Sequence, residues 1–195
     1  SQLARFKAAN IRLTVAVDQV AASGGYMMAC VADEILAAPF AILGSIGVVT
    51  TIPNVNRLLK ENHVDVEMLT AGEYKRTLTF LGENTDEGRA KMQSQLEEMH
   101  QLFKDFVSEH RPSLDIEAVA TGEYWQGTRA LSLGLVDQIS TSDDRLLSLL
   151  DEAELLRLEW CPPNTVGGRL RELLHSVLGS TVDATRQTEI DARLP

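Results

Sequence analysis

Between residues 13 and 70 the chain alternates short strand-like and helix-like segments, an order that few folds accommodate. The segment 13–20 (LTVAVDQV) alternates apolar and polar residues and is rich in β-branched side chains, so it predicts a strand. A turn over 21–23 leads into a short apolar helix (GGYMMACVA), and a second strand (DEILAA, 33–38) ends before Pro39. Strands that alternate with helices at this spacing predict an α/β domain with largely parallel strands.

The rest of the chain continues the same pattern. The further predicted elements are a helix over 53–62, a strand over 64–70, a long helix from 84 or 85 to 111, a helix over 128–133, a strand over 135–140 and a helix over 142–150. Asn84 and Glu87 have the spacing of a capping box at the start of the long helix. One face of that helix is apolar, which indicates core or a subunit interface. Its residues are Met92, Leu96, Met99, Phe103, Phe106 and Val107.

Composition excludes several classes of function. The chain has 18 basic and 28 acidic residues, a formal net charge of −10, and no cluster of Lys and Arg that could form a nucleic-acid interface. Its longest nearly apolar run, 37–49, is too short to span a bilayer. No residue set has the spacing of metal ligands and no glycine-rich loop resembles a phosphate site, so we expect no metal and no cofactor.

The pattern changes near residue 160. We expect a folded domain over 1–160 and an amphipathic tail over 161–195. The chain begins at Ser1, inside what the pattern predicts to be the end of a helix and without an initiator Met, so we expect it to be part of a longer protein. Two cysteines do not make a disulfide framework, and Cys30 is predicted to be a small buried hydrophobic residue.

Ser23 is the first candidate for chemistry, because it lies between a predicted strand and the first turn of a helix. A turn of that kind exposes the serine oxygen, and unpaired amides at a helix start stabilise negative charge. The amide of Gly24 could therefore donate to a developing oxyanion. The structural alternative is a serine that merely caps the helix.

A nucleophilic serine needs a base, and the residues alone leave its identity open. The four histidines are His63, His100, His110 and His175, and none has a nearby acid in a suggestive turn. A Ser-His-Asp triad stays possible, because its members need not be adjacent in sequence. Lys75 is the other candidate, since an apolar setting can turn a lysine into a base; the alternative is a solvated loop lysine.

Four motifs in order resemble the signal-peptide-peptidase A family of serine proteases. They are VAASGGYMMACVADEILA, GSIGVV, AGEYKRTL and GEYWQGTRALSLGLVDQI, and the similarity extends from about residue 11 to 150. The resemblance implies that Ser23 is the nucleophile and Lys75 the general base of a Ser-Lys dyad. It implies that Ser45 orients the lysine amine and that Gly24 supplies one oxyanion amide.

The same resemblance implies a fold and a setting. The fold would be of the ClpP/crotonase type, built from stacked β-β-α units and incomplete at the N terminus, in a homo-oligomer. The reaction would be hydrolysis of peptide bonds in apolar, signal-peptide-like segments through an acyl-enzyme. A membrane anchor and a second oxyanion donor would lie upstream, so we expect impaired activity for the chain alone. The catalytic part would face the periplasm at the bacterial inner membrane.

Apolar residues around Ser23 could line a substrate groove, and we select Met27, Ile46 and Val48; plain core packing is the alternative for each. Two other functions stay open. The first is a crotonase-like acyl-CoA enzyme, which needs neither Ser23 nor Lys75. The second is a non-catalytic assembly module that binds partners through the apolar face of the long helix.

Overall fold

The computed structural model describes residues 2–158, and its elements repeat a strand-strand-helix unit. The elements are α1 (Ala4–Ala8), β1 (Thr14–Val17), β2 (Val20–Ala22), α2 (Gly24–Ala29), β3 (Glu34–Ala37), β4 (Ile42–Gly44), α3 (Asn56–Glu61), α4 (Asp86–His110), α5 (Ile116–Val119), β5 (Tyr124–Gln126), α6 (Gly127–Ser132), β6 (Gln138–Ile139) and α7 (Ser142–Leu149). The predicted α/β class is confirmed.

Corresponding strands of successive units pair with each other. One sheet has the order β1-β3-β6 with all strands parallel, and the other has the order β2-β4-β5 with β5 antiparallel to β4. In the units β1-β2-α2 and β3-β4-α3 the first strand therefore joins one sheet and the second strand joins the other, and the last two strands, β5 and β6, extend the two sheets from either side of α6. This is the stacked arrangement that the resemblance implied, and it brings the ends of β2 and β4 side by side.

The hydrophobic core lies between these sheets and the helices that pack on them. Tyr26, Ile35, Leu43 and Leu135 have no exposed surface, and Phe103 and Val107 of α4 complete the core from one side. Cys30 is also fully buried, as predicted, and burial raises the pKa of its thiol to about 11.

An ion pair joins the C-terminal end of α4 to the strands. The two terminal nitrogens of Arg111 donate to the carboxylate of Asp137 at 2.9 and 2.8 Å, and one of them also donates to the carbonyl of Gly134 at 3.0 Å. The same carboxylate accepts the amide of Ile35 in β3 at 2.7 Å. Close by, the hydroxyl of Tyr26 in α2 donates to the carbonyl of Leu135 at 2.8 Å. This cluster therefore connects α2, β3 and α4.

Two predicted strands differ from the observed ones. The segment 13–20 is not one strand, because the chain bends at Asp18 and Gln19 and divides it between the two sheets as β1 and the start of β2. The segment 64–70 alternates apolar and polar residues but forms no strand in the described chain. Nearly all of it is exposed, with Leu69 at 93%, and alternation without a neighbouring strand does not make a sheet.

The long helix begins one residue later than the capping-box spacing predicted. Thr85, not Asn84, is the N-cap, and its hydroxyl accepts the amide of Gly88 at 3.1 Å. The Asn84 side chain instead bonds the backbone of Thr79, accepting its amide at 2.8 Å and donating to its carbonyl at 3.1 Å.

The folded unit that contains all of these elements ends at Glu154. The predicted tail over 161–195 lies outside the described residues. None of the helices within residues 2–158 combines the length and the apolarity that crossing a bilayer requires.

Candidate active site

Ser23 lies in an uncommon backbone conformation at the junction of β2 and α2. Its φ and ψ are 51° and −118°, a region that costs a non-glycine residue about 1–3 kcal/mol. It occupies the N-cap position of α2, but its side chain makes no capping hydrogen bond to the described first turn. Ser23 is also exposed. Ser23 therefore does not cap α2 with its side chain, and its hydroxyl is exposed at the surface without a bond to the first turn.

The backbone around Ser23 leaves one amide suited to an oxyanion. The amide of Ser23 itself donates to the carbonyl of Gly44 at 2.8 Å and continues the β2–β4 ladder. Gly24 is the first residue of α2, where an amide has no acceptor within the helix. No heavy atom of the described chain lies within 4 Å of the position that a Cβ at Gly24 would occupy. The space beside the Cα of Gly24 is therefore open.

Ser45 is the counterpart of Ser23 on the next strand. The parallel register pairs Ala22 with Gly44, and the next residue along each strand is a serine. Ser45 has a φ of 50°, close to the value at Ser23. Since neighbouring strands lie about 4.8 Å apart, the two serines are neighbours at the same sheet edge. Strand register thus places the two serines side by side.

The segment after Ser45 is held by the chain between α5 and β5. The amide of Ser45 donates to the carbonyl of Glu123 at 2.6 Å, and the amide of Gly122 donates to the carbonyl of Ile46 at 3.2 Å. A Cβ on Gly47 would lie 2.9 Å from the Cα of Gly122, so the two backbones approach as closely as glycines allow. The segment is therefore fixed in position.

A groove of about 820 Å³ opens beside the two serines. It is lined by Ser23, Gly24, Met27, Ser45, Gly47, Val48, Val49, Met99, His100, Leu102, Phe103, Phe106, Thr121 and Gly122. Five of the residues selected from the sequence thus meet in one groove. The sixth, Ile46, is fully buried beneath the groove and is not among its described lining, as the core-packing alternative expects. The wall is mostly apolar, with hydroxyl and amide groups concentrated at the serines.

Lys75 lies apart from this lining. It is exposed on the loop between α3 and α4, and its amide donates to the carbonyl of Gly72 at 3.2 Å. It is not among the described residues that line the groove. The loop is linked to α4 through Tyr74, whose ring centre is 5.0 Å from the Nζ atom of Lys91.

The contribution of α4 to the groove was not predicted as such. Its apolar stripe was interpreted as core or interface, and Phe103 and Val107 are core. Met99 and Leu102, however, are 56% and 59% exposed and form the wall opposite the serines. A second groove of about 470 Å³ shares Val48 with the first, as well as these two α4 residues. The sequence signal for this contribution is that the apolar face of α4 has more residues than packing against the core uses.

Comparison with known proteins decides the family. The model of peptidase family S49 matches residues 5–156. The chain belongs to peptidase family S49. The four motifs indicate the same family.

Within residues 2–158 no group of three or more His, Cys, Asp or Glu side chains is placed to hold a metal ion.

Two S49 relatives support a SohB-type member. "Probable protease SohB" of Haemophilus influenzae is 62% identical over 82% of this chain and 45% of that protein. "Probable protease SohB" of Buchnera aphidicola from Acyrthosiphon pisum is 59% identical over 82% of this chain and 48% of that protein. The chain therefore spans about half the length of the curated relatives it matches. Among solved structures, an enoyl-CoA hydratase/isomerase from Marinobacter aquaeolei is 20% identical, with a TM-score of 0.42 over 99% of this chain and 57% of that one.

Proposed function

We propose that the chain carries the catalytic serine of an endopeptidase and that Ser23 is the nucleophile. The observation that supports this most directly is the exposed Ser23 hydroxyl, held by a strained backbone between β2 and α2 at an apolar groove. Strain of this kind is retained where it positions a reacting group. The S49 family membership favours a peptidase over the acyl-CoA enzyme and over the assembly module.

In the proposed reaction Ser23 Oγ attacks the carbonyl carbon of the scissile peptide bond while its proton passes to the neutral amine of Lys75. The carbonyl oxygen becomes an oxyanion that accepts a hydrogen bond from the amide of Gly24. The C–N bond then breaks, and the lysine ammonium returns the proton to the leaving amine. Water attacks the resulting ester, the lysine takes a proton from that water, and the acid product leaves Ser23 with its hydroxyl restored.

The proposed role of Ser45 is to accept or donate a hydrogen bond that orients the Lys75 amine. Its place beside Ser23 at the sheet edge supports this role. Since the Ser23 amide is bonded to Gly44, a second oxyanion donor is needed besides Gly24. We propose that residues upstream of this chain supply it, together with a membrane anchor that keeps the catalytic part at the periplasmic face of the inner membrane.

Hydrolysis of an apolar fluorogenic peptide by the full-length protein tests the proposal. Lys75→Ala should lower kcat by about two to four orders of magnitude, the usual contribution of a general base. Lys75→Arg should be equally inactive, because arginine keeps the positive charge but does not release its proton at neutral pH. An active Lys75→Arg variant would place the base elsewhere, and Lys7→Ala is the matched control on an exposed lysine.

Lys75 is not among the described residues that line the groove, and this leads to a second test. We propose that the dyad forms between subunits of a homo-oligomer, Ser23 from one and Lys75 from the next. Inactive Ser23→Ala and Lys75→Ala proteins, unfolded together in equal amounts and refolded as a mixture, should then regain about a quarter of the activity of the unaltered protein, because random assembly pairs an intact serine with an intact lysine at about one site in four. If the mixture stays inactive while each protein alone assembles normally, the dyad forms within one subunit.

The proposed substrates are apolar segments of peptides or membrane proteins. Met27, Val48, Met99 and Leu102 support this, because exposed, adaptable apolar walls accept varied aliphatic side chains. No charged carboxylate or guanidinium is part of the described lining, so the groove offers no ion-pair partner to a charged residue at the cleavage site.

A further inference from the structure

His100 is the one ionisable side chain, apart from hydroxyls, in the described lining of the groove that holds Ser23. It comes from the middle of α4 and is half-buried. Its Nε2 atom lies 3.2 Å from the carbonyl oxygen of Ile46. A carbonyl oxygen only accepts hydrogen bonds, so Nε2 carries the hydrogen in this contact. In the neutral ring Nδ1 then carries no hydrogen.

The carbonyl that His100 contacts belongs to the segment carrying Ser45. This carbonyl accepts two hydrogen bonds, one from His100 and one from the amide of Gly122. The preceding residue, Ser45, has a φ of 50°, and the side chain of Ile46 is fully buried. The segment is therefore held on its buried side by packing and on its groove side by donors from two other elements. Of these donors, His100 is the only side chain.

We infer that His100 is a positioning residue that fixes the direction of the Ile46 carbonyl and, through it, the hydroxyl of Ser45. The expected effect on catalysis rests on the proposed function, in which Ser45 orients the amine of Lys75. Without the His100 donor, the Ile46 carbonyl keeps only its bond from the Gly122 amide, and the peptide between Ile46 and Gly47 can tilt toward water. Ser45, the residue before Ile46, shifts with it, whereas Ser23 after β2 stays in place.

A matched pair of substitutions separates this role from simple filling of space. In His100→Gln, the amide nitrogen stands the same number of bonds from Cα as Nε2 of histidine, so the donor to Ile46 is retained. In His100→Met, the side chain has similar length and volume but no donor. We expect kcat of the Gln variant within threefold of the unaltered protein. We expect kcat of the Met variant to fall about tenfold with KM changed less than twofold, as for one lost hydrogen bond.

Two activity results would overturn the inference. Equal activity of the Met and unaltered proteins would mean that the contact has no role. Equal loss in the Gln and Met variants, with the acidic limb of the pH profile altered in both, would mean that the free Nδ1 acts as a base and that His100 touches the reacting atoms. Lys75→Ala is measured in the same assay: if it is inactive, the proposed dyad holds whatever the His100 variants show, and if it is active, the dyad itself fails.

Amide hydrogen exchange tests the inference without any substrate. The amides of Ser45 and Gly122 should exchange about tenfold faster in His100→Met than in the unaltered protein, and at the unaltered rate in His100→Gln. Amides of β1 and β3 should be unchanged in both variants, which shows that the fold is intact. Unchanged exchange at Ser45 and Gly122 in the Met variant would contradict the inference even if no peptidase activity were found.

Discussion

Ser23→Ala is expected to lower kcat for peptide hydrolysis by about four to six orders of magnitude, because it removes the oxygen that forms the acyl-enzyme in the proposed mechanism. The alanine removes one oxygen atom and leaves the φ of the site near 51°, which alanine adopts no more easily than serine does. The free energy of unfolding should therefore change little. Activity on a fluorogenic peptide and urea denaturation of the same preparation together measure both quantities.

The matched control is Ser94→Ala, which removes the hydroxyl of an exposed serine on α4 outside the described lining of the groove. It should retain full activity. Residual activity of Ser23→Ala above about one part in a thousand, in protein free of contaminating peptidase, would mean that another group is the nucleophile. Mass spectrometry of the unaltered protein trapped with a slow ester substrate should show an acyl group on the peptide that contains Ser23.

Asp137→Ala is expected to give the largest loss of stability, about 2–4 kcal/mol. The side chain of Arg111 is only 11% exposed, and without the carboxylate its charge and the amide of Ile35 lose their partner. The Nε atom of this arginine already has no hydrogen-bond partner among the described residues. Removing one partner of a buried ion pair lowers the free energy of unfolding by about 3–5 kcal/mol. We expect a smaller loss here because the Asp137 side chain is 37% exposed and solvent screens the pair. Urea denaturation measures the loss.

A surface ion pair of similar length provides the contrast. Lys60 and Glu83 are 2.7 Å apart, but their side chains are 57% and 72% exposed. Glu83→Ala should therefore leave the urea midpoint almost unchanged, since solvent screens such pairs. A loss in Glu83→Ala that matches the loss in Asp137→Ala would contradict the argument from burial.

The same aspartate makes the stability of the fold depend on pH. Burial alone would raise the pKa of Asp137, but the hydrogen bonds from Arg111 and from the amide of Ile35 outweigh it and hold the pKa below its usual value. A carboxyl with a lowered pKa stabilises the folded state above its unfolded pKa of about 3.9, and this contribution disappears as pH falls through the folded pKa. The stability difference between the unaltered protein and Asp137→Asn should therefore shrink below about pH 4.

The sequence pattern predicted the α/β class from segments that have their own local signal, but it did not predict the three-residue strands β4 and β5. It missed the boundary inside 13–20, because both halves have the same β-branched pattern and only their partners, β3 and β4, separate them. It overestimated 64–70, where alternation has no neighbouring strand in the described chain. In both segments the pairing with a neighbouring strand, and not the β-propensity of the residues, determines whether a strand forms.

The candidate site was predictable in unequal parts. Ser23 could be noticed from its place between a strand and a helix. Ser45 came from the resemblance, and only the structure shows the strand register that places it beside Ser23. Lys75 came from the resemblance, since a lysine on an exposed loop has no local pattern that marks a base. His100 and the exposed part of the α4 stripe depend on how a helix far along the chain packs on the sheet edge, which no spacing reveals.

The two serines with nearly equal φ values end equivalent strands of successive units, and this has a consequence for how such an enzyme can diversify. Their spacing depends on one strand pair and not on the segment 50–84, which contributes no strand to either described sheet. Insertions and deletions in that segment can therefore leave the hydroxyl pair in place. Lys75 lies within the segment, so only changes that keep its loop intact would preserve the proposed dyad.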